Sequence, residues 1–196
     1  MAPTMSIHFD FGGADAAPGT HQDIDDLGPP RMRFKLADNA TIDEANPINI
    51  PGAGLGPYHS ALKHVHLYMD AAAGATVSAV KFYTDGVNTL GTGVDIKVGL
   101  QFPTNNSGAS GAQYEVATAD PTTTDMVAEH SIITSSASIF TYTSASPLSL
   151  SISEAGNVMN ANGEMTNYLV FQSEVSNTAS EGFTGRPNLY WSYTSA

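Results

Sequence analysis

Several stretches of this chain alternate apolar and polar residues with a period of two, which is the pattern of β-strands with one buried face. The clearest examples are "LKHVHLYM" (62–69), "VDIKVGL" (94–100), "PLSLSIS" (147–153) and "NLYWSYT" (188–194). Segments rich in Gly, Pro, Asn and Asp separate them and indicate turns. The pattern predicts about nine or ten short strands, and therefore an all-β chain.

The expected architecture is an antiparallel two-sheet β-sandwich, jelly-roll-like, because that arrangement hides most strand edges. An immunoglobulin-like sandwich is the alternative, although the Cys–Trp–Cys pattern of true immunoglobulin domains is absent from a chain without cysteine. A length of 196 residues suits one domain, 1–196. In the last strand we expect Leu189, Trp191 and Tyr193 on one face, which we assign to the core, and Tyr190 on the other.

Two segments depart from the strand pattern. Residues 10–30, "DFGGADAAPGTHQDIDDLGPP", are rich in Gly, Pro and Asp and show neither helical nor strand periodicity. We expect a long N-terminal loop or arm there, which in a compact domain usually has a function or packs on something else. "TTTDMVAEH" (122–130) predicts a single helical turn, with Thr123 or Thr124 as its cap.

Composition restricts the function classes. The formal net charge is −12 and the pI is about 4.5, so a nucleic-acid or anionic-membrane partner is not expected, because such binding depends on clustered Lys and Arg. The chain has no cysteine, which removes disulfides, thiolate nucleophiles and zinc–thiolate sites. The N-terminus shows no signal-peptide pattern, and no apolar run approaches the ~18 residues of a membrane span. We therefore expect a protein that stays in the cytoplasm unless an assembly carries it out.

The histidines are one candidate site. His59, His64 and His66 lie close together, and the pair His64-x-His66 on a strand projects both rings to one side. Two imidazoles on one face can begin a zinc, copper or iron site. Cupins use His-x-His on a jelly roll, but the Gly and Glu residues that accompany that pair are not seen here. We expect a polar face packed against a neighbour and no cofactor, with His64 and His66 as the metal candidates.

The acidic stretch "HQDIDDLG" (21–28) is a second candidate. Asp23, Asp25 and Asp26 offer carboxylate oxygens of the kind that bind calcium. The EF-hand spacing, with its Gly at position 6 and Glu at position 12, is absent. A solvated loop, or one that pairs with a basic surface on another subunit, is the preferred interpretation.

The stretch "RMRFKLADN" (31–39) holds Arg31, Arg33 and Lys35, three of the seven Lys and Arg residues of the chain. Alternation predicts a strand with this cationic row on one face and an apolar core face of Met32, Phe34 and Leu36. One interpretation is an edge strand protected by positive charge. The other is an interface in which the row pairs with acidic residues of the preceding loop or of another copy.

Catalytic signatures are missing. The chain has no G-x-S-x-G elbow, no P-loop and no G-x-G-x-x-G. Ser and His residues occur without the spacing of a triad, and the Glu residues are scattered singly, so nothing marks a carboxylate pair for glycoside hydrolysis. The expectation is a protein that is not an enzyme.

Several longer strings resemble a family of β-rich virion structural proteins from tailed bacteriophages and related archaeal viruses. The strings are "DDLGPPRMRFKLADN", "VKFYTDG", "GTGVDIKVG", "YEVATAD", "SPLSLSISEA" and "TNYLVFQSEV". They cover most of the chain in the same order, and the C-terminal "NLYWSYTSA" matches least well. The resemblance implies a β-sandwich and brings no catalytic residue with it.

What the resemblance implies for function is a capsid decoration or stabilising protein on the outer shell, with residues 10–30 as an arm. Its partners would be the major capsid protein or other virion proteins, and further copies of itself in a homo-oligomer such as a trimer. It would reside in the virion after assembly in the host cytoplasm. The alternatives are a tail or fibre component that contacts the host surface, and a carbohydrate-binding β-sandwich module. Fibres usually show repeats, and a free module would carry a secretion signal.

Overall fold

The computed structural model describes residues 1–24, 33–41, 45–100, 113–116, 123–152, 154–180 and 185–196. The strands are β1 (Thr4–Ala14), β2 (Ala17–Asp23), β3 (Tyr58–His59), β4 (Lys63–Ala71), β5 (Val77–Thr84), β6 (Val94–Gly99), β7 (Ser136–Ser138), β8 (Leu148–Ser149), β9 (Leu169–Val175) and β10 (Leu189–Ser195). One α-helical turn, α1, spans Met126–Glu129, and 3₁₀ turns cover Ile139–Thr141 and Ala155–Asn157.

The strands form two sheets. The large sheet has seven strands in the order β2-β1-β4-β9-β6-β7, with β3 also paired to β9, and the small sheet has the order β10-β5-β8. All the strand pairs are antiparallel. From β4 onwards the chain passes repeatedly from one sheet to the other. The predicted all-β, antiparallel two-sheet sandwich is confirmed.

The core between the sheets follows from the period-two alternation. Phe9, Val65 and Phe171 of the large sheet are each 1% exposed or less and share one apolar cluster with Phe82 of the small sheet. The Phe82 ring meets the Phe171 and Trp191 rings edge-on, with centroids 5.5 and 5.2 Å apart. Edge-to-face aromatic contacts of this kind stabilise a core beyond the area that they bury.

The other face of the large sheet is covered as well. A second apolar layer lies on it, formed by Leu62, Tyr114, Met126, Ile133, Tyr168 and Val170. A Cβ atom at Gly99 would lie only 2.5 Å from Ile133, so a glycine in β6 lets this layer approach the sheet. Beneath it, the buried Gln172 side chain accepts a hydrogen bond from the Met126 N–H (2.7 Å). Polar side chains on this face are therefore buried rather than solvated.

The prediction of a loop over residues 10–30 is wrong for residues 10–23. These residues complete β1 and form β2, a hairpin that closes between Ala14 and Ala17. Glycine permits the tight return, because a Cβ at Gly13, where φ is +87°, would lie 2.3 Å from the Ala17 carbonyl oxygen. Pro18 is tolerated because β2 is an edge strand. The rest of the predicted arm, 25–30, lies outside the described residues.

The prediction of a strand with an exposed cationic row at 31–36 is also wrong where the structure describes it. Residues 33–41 contain bends and no strand. Lys35 is only 3% exposed, and its ammonium donates to the Thr41 carbonyl oxygen (2.9 Å). The Lys35 carbonyl accepts from the Ala61 N–H (2.9 Å), which ties this segment to the start of β4. A backbone carbonyl that accepts from the ammonium lowers the cost of burying it.

The single helical turn is confirmed, but its predicted cap is wrong. Asp125, not Thr123 or Thr124, is the N-cap of α1. Its carboxylate accepts from the Val127 and Ala128 N–H groups, each at 3.0 Å. An aspartate satisfies two of the free N–H groups at the helix start and also carries the charge that the helix dipole favours.

The last strand, β10, behaves as predicted only in its first half. Trp191 packs against the core and Tyr190 is 41% exposed, with its ring stacked on Tyr83 at 5.2 Å. A register shift between Ser192 and Thr194 changes the facing of the residues beyond it. Tyr193, expected beside Trp191, is consequently 39% exposed.

We expect Phe82→Ala to lower the free energy of unfolding by about 3–5 kcal/mol, because it leaves a cavity between the two sheets. Val87→Ala is the control, since Val87 is 57% exposed and a surface change of this kind should stay within about 0.5 kcal/mol. Urea unfolding followed by circular dichroism measures both variants. A loss of less than about 1 kcal/mol for Phe82→Ala would contradict the sheet packing described here.

Candidate functional site: a histidine cluster

Three adjacent strands bring three histidines to one place on the covered face of the large sheet. In the strand pairing, His8 of β1 lies opposite His66 of β4, and Asp10 of β1 lies opposite His21 of β2. One ring nitrogen from each of His8, His21 and His66 lies within 4.8 Å of those of the other two. These three residues are called the histidine cluster below.

The rings of the histidine cluster are packed against one another. The ring centroids of His8 and His21 are 4.1 Å apart, those of His21 and His66 are 5.1 Å apart, and those of His8 and His66 are 6.0 Å apart. Tyr68 flanks the group, with its ring centroid 4.4 Å from that of His8. His66 is fully buried, whereas the His21 side chain is 37% exposed. The cluster therefore has a closed end at His66 and an open end at His21.

Asp10 anchors His21 from behind. It is 3% exposed; its Oδ1 lies 2.6 Å from His21 Nδ1, and its Oδ2 accepts a hydrogen bond from the Tyr168 hydroxyl. Burial raises the pKa of Asp10, but the hydrogen bonds from His21 and Tyr168 and the nearby His66 outweigh it, so the net pKa lies below the ordinary value. The carboxylate is ionised at neutral pH, and His21 Nδ1 must therefore carry the proton that it donates. In the neutral form of a ring that donates from Nδ1, the lone pair lies on Nε2.

His66 and His8 are neutral at neutral pH. Burial, opposed by the charge of Asp10 and assisted by the neighbouring His21 and His8, lowers the pKa of His66 to about 3. Burial, followed by the charge of His21, also lowers the pKa of His8. Neither ring nitrogen of His66 has a hydrogen-bond partner, and His8 Nδ1 has none. Each ring therefore keeps a nitrogen lone pair with no proton donor attached.

Carboxylates surround the histidine cluster. Besides Asp10, both Asp23 at the end of β2 and Asp70 of β4 act on His8 through their charge. The Asp70 Oδ1 lies 4.0 Å from His8 Nε2. The field at the site therefore favours a positive charge among the three rings.

His64, the other half of the predicted His-x-His pair, lies apart from the cluster. Its ring packs among those of Tyr114, His130 and Tyr168, at centroid distances of 4.7, 5.3 and 5.3 Å. Its Nε2 accepts from the Glu115 N–H at 3.4 Å. Burial first, and then the neighbouring His130, depresses the pKa of His64 well below its usual value. His64 is thus a buried, neutral packing residue beneath the segment 113–116.

The other predicted site residues are not brought together in the described residues. Asp23 ends β2 opposite His8, and Arg33 is half-buried at the start of the described stretch 33–41. Lys35 is buried, so it cannot belong to a surface row. Arg31, Asp25 and Asp26 lie outside the described residues. The interface between the cationic row and the acidic loop stays a prediction for those three positions.

The sequence reasoning did not pick out His8 and His21. His8 alternates correctly in "MSIHF", but His21 sits in the segment read as a loop. The sequence does contain a signal for them. In a hairpin whose turn is centred between residues 15 and 16, residue 10 pairs with residue 21 and residue 8 with residue 23. The Gly and Pro residues of "GGADAAPGT" led instead to the prediction of a loop, because both residue types are common in loops.

We expect the pH dependence of stability to reveal the burial of His130. Burial, partly opposed by Glu115, lowers its folded-state pKa below 6.5, so its stabilising contribution is present above about pH 6.5 and is lost as the pH falls toward the folded pKa. The slope of unfolding free energy against pH should shrink in His130→Gln by at most about 1.4 kcal/mol per pH unit.

Urea unfolding of both proteins at several pH values from about 8 to about 5 measures this slope. Above about pH 7.5 the slopes should coincide, because His130 is then neutral in both states, and that range is the internal control. Equal slopes below about pH 6.5 would contradict the assignment.

Comparisons of the chain with protein-family models, with curated proteins and with solved structures found no match. In the described part of the chain, no helix is long and apolar enough to cross a membrane.

Proposed function

We propose that this chain is a non-catalytic structural protein of a virion that decorates or stabilises the outer shell. The proposal begins from the resemblance of its sequence strings to virion proteins. The sandwich fold is compatible with it, since two antiparallel sheets make a rigid module that can present a contact surface. The structural observation that carries it furthest is the small sheet's edge strand, β10.

Strand β10 ends the three-stranded sheet and is seven residues long. An edge strand has backbone N–H and C=O groups that can pair with another chain. Tyr190 and Tyr193 stand exposed on it, at 41% and 39%. The Tyr190 ring is held against Tyr83 in a near-parallel stack, with an interplanar angle of 16°. Ordered tyrosines at a strand edge suit a protein interface, where this residue type is enriched.

The proposed partner of the β10 surface (Tyr83, Tyr190 and Tyr193) is a shell protein of the virion. The predicted homo-oligomer remains part of the proposal, and β10 gives it a surface on which copies can meet. Lys35 of the predicted cationic row is buried and is not part of this surface. Charge reversal at Lys35 would place a carboxylate inside the protein and would test the fold instead of the assembly.

Co-sedimentation tests the proposal. We expect the protein to bind capsids that lack it at a fixed, saturating stoichiometry, and not to bind isolated tails. The double variant Tyr190→Ser/Tyr193→Ser should bind at least about tenfold more weakly, since each interface tyrosine contributes on the order of 1 kcal/mol or more. Val127→Ser is the matched control, because Val127 is 39% exposed on α1, which lies against the face of the large sheet opposite the small sheet.

The remaining outcomes separate the alternatives. Binding to tails and not to capsids would overturn decoration in favour of a tail or fibre component. Binding to neither, together with retention on a polysaccharide that the double variant loses, would assign β10 to carbohydrate stacking. Capsid binding that is unchanged in the double variant would move the contact away from β10.

A further inference from the structure

We propose that the histidine cluster is a metal site for a borderline-soft divalent cation of the Zn²⁺ class, and that the bound ion clips the edge strand β2 to the sheet. The proposal is independent of the virion role. It departs from the expectation, drawn from the sequence, that the chain binds no metal, and it keeps only His66 of the two histidines named there.

The donor set points to a transition metal of this class. Three imidazole nitrogens converge within 4.8 Å of one another, and imidazole is a ligand that Zn²⁺ binds at about 2.0–2.1 Å. A tetrahedral site requires nitrogens roughly 3.3 Å apart, so small ring rotations would complete it. Ca²⁺ and Mg²⁺ prefer oxygen donors and do not suit such a set.

The unpartnered nitrogens of His66 are the second, independent observation. All six histidines lie in the described part of the chain, and His66 is the one whose two ring nitrogens are both fully buried without a hydrogen-bond partner. It is 0% exposed. Leaving a buried polar group unsatisfied costs about 1–3 kcal/mol, whereas buried polar groups in native proteins are normally paired. A cation bound to His66 would give one of these two nitrogens the partner that it lacks.

Asp10 provides the support that metal-binding histidines usually have. Its carboxylate accepts from His21 Nδ1 at 2.6 Å and is itself held by the Tyr168 hydroxyl. A neutral His21 that donates from Nδ1 keeps Nε2 as its metal-binding nitrogen, and the contact with Asp10 makes that nitrogen a stronger donor. Asp10 acts here as a positioning residue, because it orients His21 rather than binding the ion.

The position of the three ligands explains what the ion would do. They come from β2, β1 and β4, three neighbouring strands, and β2 is the outer one. Among the strands of the described residues, β2 pairs only with β1, and it is exposed over much of its length. A metal bond to His21 would tie β2 directly to β4. His21, with a side chain 37% exposed, also gives the ion access from solvent.

Zinc titration of the tag-free, chelator-treated protein by calorimetry at neutral pH tests the site. We expect one Zn²⁺ per chain, no comparable binding of Mg²⁺ or Ca²⁺, and a visible absorption spectrum of low-coordinate Co²⁺ when cobalt replaces zinc. Asp10→Asn should weaken zinc binding by about 10–100-fold, and His21→Gln should weaken it more.

The matched control is His130→Gln, the same substitution at a buried histidine outside the cluster, which should leave zinc affinity unchanged. Circular dichroism of each variant establishes that it is folded. Absence of zinc binding to the wild-type protein would overturn the proposal, as would equal affinities for the wild type and a folded His21→Gln variant. Equal losses in His21→Gln and His130→Gln would also overturn it.

Hydrogen exchange tests the clip. With Zn²⁺ bound, amides of β2 should exchange more slowly than in the metal-free protein, and the small sheet should not change. In His21→Gln the zinc-dependent slowing should disappear. Stoichiometric zinc binding without any slowing in β2 would retain the site and overturn its role as a clip.

Discussion

The burial of both faces of the large sheet is the constraint on which the rest of the molecule depends. One face meets the small sheet through apolar side chains, including Phe9, Val65 and Phe171. The other face carries histidines, Asp10 and Gln172 and is nevertheless buried. A polar group removed from water must find a partner inside the protein or destabilise the fold. The covering segments 113–116 and 123–133 therefore have to satisfy that face by hydrogen bonding as well as by packing.

Most of the polar groups on that face meet this demand. Gln172 accepts from Met126 and donates to the Ser60 carbonyl oxygen, and the Tyr114 hydroxyl donates to Asp38 at 2.5 Å. Asp38 also accepts from the Gly12 N–H (2.9 Å), so one carboxylate links the β1–β2 hairpin to the covering layer. His66 stands apart on this face because both of its ring nitrogens are buried without a hydrogen-bond partner. Buried polar groups in native proteins normally have a hydrogen-bond partner. That rule accounts for the hydrogen bonds elsewhere on the face, and it points to the histidine cluster as a site for a ligand.

The parts of the fold that sequence predicts are those set by local alternation. Val65, Leu67 and Met69 face the core as their period requires, because a strand whose one face is apolar has a single favourable register. Lys35 was misassigned for the opposite reason. Alternation cannot show that the Thr41 carbonyl oxygen of the same bent segment will accept from its ammonium, because that contact exists only after the chain has folded. The Gly- and Pro-rich hairpin was missed because those residues indicate loops and edge strands alike.

The candidate site shows even more clearly that local alternation does not reveal which residues become neighbours in the fold. Sequence alternation places His64 and His66 on one face. It cannot show that their surroundings differ, since both satisfy the period of two. The difference comes from neighbours: β1 and β2 carry His8 and His21 next to His66, and the covering layer places Tyr114 and His130 against His64. One histidine of the pair is thereby enclosed by aromatic packing and accepts a backbone hydrogen bond, and the other is enclosed by further imidazoles and left unpaired. Two residues of the same type, two positions apart, acquire different chemistry because different strands lie beside them.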